Sequence, residues 1–158
     1  MSDLFVSGGA DLSACGTYRY SLWRQWGDGP AVNFVMLNPS TADADKDDPT
    51  IRRCIGFAKG WGFERLVVTN LFALRSTDPR VLYRHESPIG PDNDTALFTR
   101  AATVSLVVFA WGGHGGARGA RVADLLRSFS PGCLGRTKDG SPRHPLYLPK
   151  ITAVERYL

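Results

Sequence analysis

The run Val32-Asn33-Phe34-Val35-Met36-Leu37 has the length and apolar character of a buried strand, and it stops at Asn38-Pro39-Ser40-Thr41. A second run, Glu64-Arg65-Leu66-Val67-Val68-Thr69-Asn70-Leu71, closes on another asparagine. Between them, from about 49 to 61, Ile51, Cys54, Ile55, Ala58 and Trp61 fall on one stripe and Arg52, Arg53 and Lys59 on the other. That is the period of an amphipathic helix covering a sheet. Asp47 or Asp48 ahead of Pro49 supplies its N-cap, and Gly62 ends it. Strand, helix and strand at this spacing form a βαβ unit with parallel strands and a right-handed crossover. Asn38 and Asn70 then leave the sheet at one edge, where α/β proteins place their chemistry.

Upstream, residues 17–26 alternate between large apolar and polar side chains, and Gly27-Asp28-Gly29-Pro30 breaks the run. This predicts an N-terminal antiparallel hairpin whose strand lies beside the central one. Downstream, Phe72 to Pro91 reads as a long irregular connection. Asp92-Asn93-Asp94 then caps a helix through about 102, with Leu97, Phe98 and Ala101 inward. Val104 to Ala110 is a strand that opens into Trp111-Gly112-Gly113-His114-Gly115-Gly116. A helix near 117–129 follows, with Val122, Leu125, Leu126 and Phe129 inward and Arg118, Arg121 and Arg127 outward. Cys133 to Thr137 is a short strand, and Pro142 to Pro149 a proline-held loop. The expected architecture is one α/β domain over residues 1–158, a three-layer α/β/α sandwich around a central, mostly parallel sheet.

A chain of 158 residues, 43% hydrophobic, can bury a core without disulfides or a structural metal. Three cysteines without CxxC spacing argue against a disulfide framework or a zinc or iron–sulfur site. No apolar run approaches the roughly 20 residues that span a bilayer. Met1-Ser2-Asp3-Leu4-Phe5 lacks the regions of a signal peptide. A cytoplasmic monomer with no membrane partner and no cofactor is the expectation. The net charge is +4, with fifteen arginines against four lysines. Arginine's planar fork suits phosphate and base recognition, so this balance permits a nucleic-acid partner, and it equally fits an arginine-rich soluble enzyme.

Several groups could carry chemistry. Asn38, Asn70 and His144 can orient a water, read a base edge or donate to a developing oxyanion; as plain structure they cap turns. Asp43, Asp45 and Asp47 alternate like the early ligands of a calcium loop, but Asp48 and Cys54 stand where glycine and a bidentate glutamate belong. Magnesium held by the Asp43–Asp48 loop would make a phosphoesterase; a solvated, helix-capping acidic loop is the plainer reading. The glycine run fits neither a P-loop nor GxGxxG, and leaves His114 as a phosphate or base contact. His85 reads as surface.

Taken together, Leu37-Asn38-Pro39-Ser40-Thr41-Ala42-Asp43, Val68-Thr69-Asn70-Leu71-Phe72-Ala73-Leu74-Arg75, Ala110-Trp111-Gly112 and Arg143-His144-Pro145-Leu146-Tyr147-Leu148 resemble the DUF1643 family over nearly the whole chain. That resemblance names no activity. The same order of motifs resembles, more remotely, the uracil-DNA glycosylase superfamily, in which strands end in an Asn-Pro motif, an asparagine and a glycine, and a late loop carries His-Pro. It implies a uracil-DNA-glycosylase-like fold and hydrolysis of the N-glycosidic bond of a base extruded from DNA. Asn38 would hold the hydrolytic water, with Asp43 a substitute base, and His144 would stabilise the leaving base. Asn70 would read the Watson–Crick edge in a pocket that includes Pro39, Ser40, Trp111 and Gly112. Leu146 or Tyr147 would wedge into the vacated stack. Gly113, His114, Arg118 and Arg143 would hold phosphates. Met36 stands where that superfamily usually has glycine. A binder that keeps the pocket without the chemistry is the alternative.

Overall fold

The computed structural model describes residues 7–158; the reading of Met1 to Phe5 lies outside the described residues. The strands are β1 (Ser7–Leu12), β2 (Arg19–Gln25), β3 (Ala31–Met36), β4 (Arg65–Asn70), β5 (Leu106–Phe109), β6 (Gly132–Cys133) and β7 (Glu155–Arg156). The helices are α1 (Pro49–Gly60), α2 (Asn93–Ala101) and α3 (Gly116–Leu125). They form a mixed α/β structure on a seven-stranded sheet of order β1-β2-β4-β3-β5-β6-β7. The four central strands β4-β3-β5-β6 run parallel, and antiparallel strands flank them on both sides, so the sheet is more mixed than expected. Among the described residues no helix is long and apolar enough to cross a membrane.

The central βαβ unit lies where the pattern puts it. Met36 pairs with Asn70 at the carboxyl end of the parallel β3/β4 ladder. Asp48 caps α1 by accepting the Ile51 N–H at 2.8 Å, and Pro49 occupies the first turn, where its missing N–H costs nothing. Every residue of β3 is buried because helices cover both faces. Val32, Phe34 and Met36 pack with Ile51, Cys54, Phe57 and Ala58 of α1. Val35 and Leu37 pack on the other side with Leu97 of α2 and Val122 of α3.

The hairpin differs from expectation. β2 pairs antiparallel with β1 and β4, not with β3. The Gly27–Pro30 segment is a crossover that wraps the Glu64 side chain, where a Cβ on Gly27 or Gly29 would collide with the carboxylate. β3 already has both its edges taken by β4 and β5, so β2 can add only outside β4. Two further expectations fail. Phe98 is 44% exposed, turned edge-on to Phe129 rather than into the core. Arg118 is half-buried instead of facing out.

Candidate functional site

Because β3, β4 and β5 are parallel, the segments that follow them emerge together, and a cavity of about 370 Å³ opens there. Asn38, Ser40, Asn70, Trp111 and His144 line it, with Gly112, Gly113 and His114 along one side. Met36, Ile51 and Val68 supply an apolar wall. Three polar side chains from segments more than 30 residues apart in sequence thus share one space.

Asn38 is held by its amide nitrogen, which donates to the carbonyls of Ser76 (2.8 Å), Pro39 (3.1 Å) and Leu74 (3.4 Å). Three carbonyls around Nδ2 fix the amide's orientation and leave Oδ1 as the acceptor that can serve the cavity. Asn70 is 1% exposed, and its Oδ1 has no hydrogen-bond partner among the described residues. Its strand end is locked from behind by Asn93, whose Nδ2 donates to the carbonyls of Asn70 (2.9 Å) and Leu71 (3.0 Å).

His144 accepts the Leu146 N–H at Nδ1, 3.1 Å away, so in the neutral ring the proton sits on Nε2. Burial pushes its pKa below the ordinary 6.5, and the Asp48 carboxylate opposes that only in part. The imidazole is therefore a neutral donor near pH 7. Pro145 is tied to α1, since its carbonyl accepts from Arg53 Nε at 3.4 Å.

Other predicted residues lie elsewhere. Pro39 is buried behind Asn38 and offers its carbonyl to the Ser76 N–H at 2.9 Å. Asp43 does not line the cavity: its Oδ1 accepts from the N–H groups of Asp45 (3.0 Å) and Lys46 (2.8 Å), which hold its pKa low. Arg118 bonds the Leu71 carbonyl (2.8 Å) and Asp94 (2.6 Å), bracing α3 against α2. Arg143 and Tyr147 are exposed outside the cavity, and Leu146 lies half-buried beside them. Tyr147 is 92% exposed and has φ +73°, a left-handed conformation uncommon for a bulky residue.

The glycine run has a second use. Gly112 takes φ +77° and spends its N–H on the Pro142 carbonyl at 2.9 Å. A Cβ on Gly115 would come within 2.6 Å of the Trp111 ring nitrogen, so Gly115 leaves the space in which that indole lies against α3. The acidic loop likewise is scaffold: Asp47 pairs with Arg24 at 2.8 Å and Asp48 caps α1. Among the described residues no group of three or more His, Cys, Asp or Glu could hold a metal.

The cavity also contains residues that motif reading missed. Asp48 reaches it from the α1 cap, and Ser76 and Thr77 from the connection after β4. Arg19 enters from β2. The β2/β4 pairing sets Leu22 opposite Val68, so the same register carries Arg19 past the carboxyl end of β4. An antiparallel strand brings its beginning to the edge where parallel strands bring their ends.

The model of the family described as protein of unknown function (DUF1643) matches residues 19–146, well over half of the chain. The chain belongs to the DUF1643 family. The matched span contains Arg19, Asn38, Asp48, Asn70, Trp111 and His144. The DUF1643 match thus covers the polar wall of the cavity from its first residue, and Tyr147 lies just beyond it. Neither the curated proteins nor the solved structures give a significant match.

Proposed function

We propose that this protein is a DNA glycosylase-like hydrolase that receives an extruded nucleobase in the cavity between β3, β4 and β5. The observation that carries the reading is the convergence of Asn38, Asn70 and His144 on one cavity of about 370 Å³, near the lower end of the range for small-molecule sites. The convergence fits the order of motifs in the uracil-DNA glycosylase superfamily, as do the parallel central strands with helices on both faces.

Each group has a role its bonding permits. Asn38 Oδ1 accepts a hydrogen bond from water and aims it at the anomeric carbon. An amide is too weak a base to take the proton, and Asp48, rather than Asp43, is the carboxylate that reaches the cavity. One Asp48 oxygen is spent on the α1 cap, which leaves the other to receive that proton. The water oxygen bonds to the anomeric carbon while the C–N bond breaks with its electron pair on the base. His144 Nε2–H donates to the base as that charge develops, the differential stabilisation that lowers a barrier.

A polynucleotide also needs a track outside the pocket. A groove of about 430 Å³ beside the Pro145 loop is lined, among the described residues, by Arg52, Arg53, Gly56, Phe57, Gly60 and Lys150, none of them acidic. Tyr147 stands out of the same loop as a wedge for the vacated stack.

The test offers the folded protein oligonucleotides that carry uracil, hypoxanthine or 5-modified pyrimidines and measures abasic product. Asn38→Ala and His144→Ala should each lose activity by roughly 100-fold or more while keeping the fold. Absence of product with every base removes the hydrolase. Binding that weakens linearly in log affinity with log salt, without cleavage, would establish the binder reading instead.

A further inference from the structure

Two of the polar residues that line the cavity, Arg19 and Asn70, carry buried atoms that lack a hydrogen-bond partner among the described residues. Arg19 is 2% exposed, and among the described residues its guanidinium makes one hydrogen bond, from a terminal nitrogen to the Ala42 carbonyl at 2.8 Å. Its Nε is buried with no partner among the described residues. Among the described residues no carboxylate is at ion-pair distance from it. Burial pushes the guanidinium down to about 10, Arg75 and Arg24 press the same way, and Asp48 and Asp43 compensate only from a distance. A clamp on one carbonyl needs one N–H, which a neutral donor supplies without burying a charge. An under-partnered buried cation that lines a cavity is a group waiting for an acceptor.

The chemistry of that acceptor follows from its neighbours. Asn70 shares the cavity and carries a buried Oδ1 with nothing to accept from. A phosphodiester offers acceptors alone and would leave Asn70 Oδ1 unpaired. A heterocycle with a ring N–H beside a carbonyl answers both residues, and Met36, Ile51 and Val68 give its flat faces an apolar wall. A guanidinium has donors only, so an exocyclic amino group placed against it sets donor against donor.

We propose that Arg19 is the specificity-determining residue of this cavity, donating to the oxygen of an oxo nucleobase while Asn70 Oδ1 accepts the ring N–H beside it. This rests on the reading of the cavity as a base site and adds what that site selects. The selection comes from β2, outside the motifs that ended the parallel strands.

Binding of free bases tests it without hydrolysis. Uracil, hypoxanthine and xanthine are titrated against cytosine and adenine, following the side-chain amide signals of Asn38 and Asn70 by NMR. The oxo bases should bind about 10- to 100-fold more tightly, the discrimination expected of a paired donor contact. Arg19→Gln should bring them down to the level of the amino bases, and Arg19→Lys should fall between. Amino bases that match oxo bases in the wild-type protein overturn the assignment, as does the absence of binding by any base at millimolar concentration. The wild-type ranking decides the matter even if Arg19→Gln fails to fold. Oxo-selective binding without base release from oligonucleotides would leave Arg19 as selector and remove the hydrolase. Base release unaffected by Arg19→Gln would do the reverse.

Discussion

Arg19 and Arg24 lie five residues apart on one strand, both almost fully buried, and they have opposite surroundings. Arg24 spends its guanidinium on the carbonyls of Trp23 (2.9 Å), Asp43 (2.6 Å) and Lys46 (3.2 Å) and on the Asp47 carboxylate at 2.8 Å. It stitches the acidic loop to the sheet and leaves little capacity for anything else. Among the described residues the Arg19 guanidinium makes one bond and keeps a buried N–H without a partner. A satisfied buried charge is architecture; an unsatisfied one at a cavity wall points to a ligand. The same contrast separates Asp47, which is spent on Arg24, from Asp48, which has an oxygen left over.

The sharpest way to break this contrast is to remove Arg24. Arg24→Met takes the ion-pair partner from Asp47 and a donor from three carbonyls, and should destabilise the protein by about 3 kcal/mol. That is the low end for a buried pair, because the Asp47 side chain is 31% exposed. Urea denaturation measures the loss, and a change below about 1 kcal/mol would show that the clamp is not structural.

Asp48 is the next largest effect, and it appears in activity. Asparagine caps helices nearly as well as aspartate, so Asp48→Asn should cost less than about 0.5 kcal/mol of stability. In the proposed hydrolysis, base release should nonetheless fall about 100-fold, because the amide cannot accept a proton. Equal losses of stability and activity would reduce Asp48 to its cap.

Arg19→Met should have a smaller effect on the free protein. Removing a buried, under-partnered charge relieves desolvation, the lost Ala42 contact offsets that, and the net change should stay within about 1 kcal/mol. Thermal unfolding without ligand reads it directly, and a loss matching that of Arg24→Met would make the two arginines equivalent scaffold.

What could be read from the residues divides along the same line. The unit from β3 to β4 is legible because local rules agree over it: two apolar runs, a 3.6-residue stripe and an aspartate–proline cap. Asn38, Asn70 and His144 are legible as strand-end or proline-held polar residues, and the structure brings all three to one cavity. Arg19 was not legible, because its placement depends on β2 pairing with β4, and strand order among non-adjacent elements is a tertiary property that no local pattern encodes. Asp48 was visible only as a cap, since a residue's second role depends on what packs across from it. Arg118 was misplaced because helical periodicity alone cannot distinguish an outward arginine from one bent back to Leu71 and Asp94.

The smallest effect is the most specific to the cavity. Folding lowers the pKa of His144 below 6.5, mainly through burial, so between that value and the folded one the unfolded chain binds a proton that the native protein refuses. Stability therefore rises with pH across that window, is fully present above 6.5, and falls as acid is added. His144→Gln should flatten this part of the stability curve, measured by urea denaturation from pH 7.5 to 5. Asp48→Asn should steepen it instead, because the Asp48 carboxylate is the group that holds the imidazolium up. An unchanged slope in Asp48→Asn would mean that the two side chains do not sense each other across the cavity. The cavity would then lose the coupling between its neutral donor and its carboxylate.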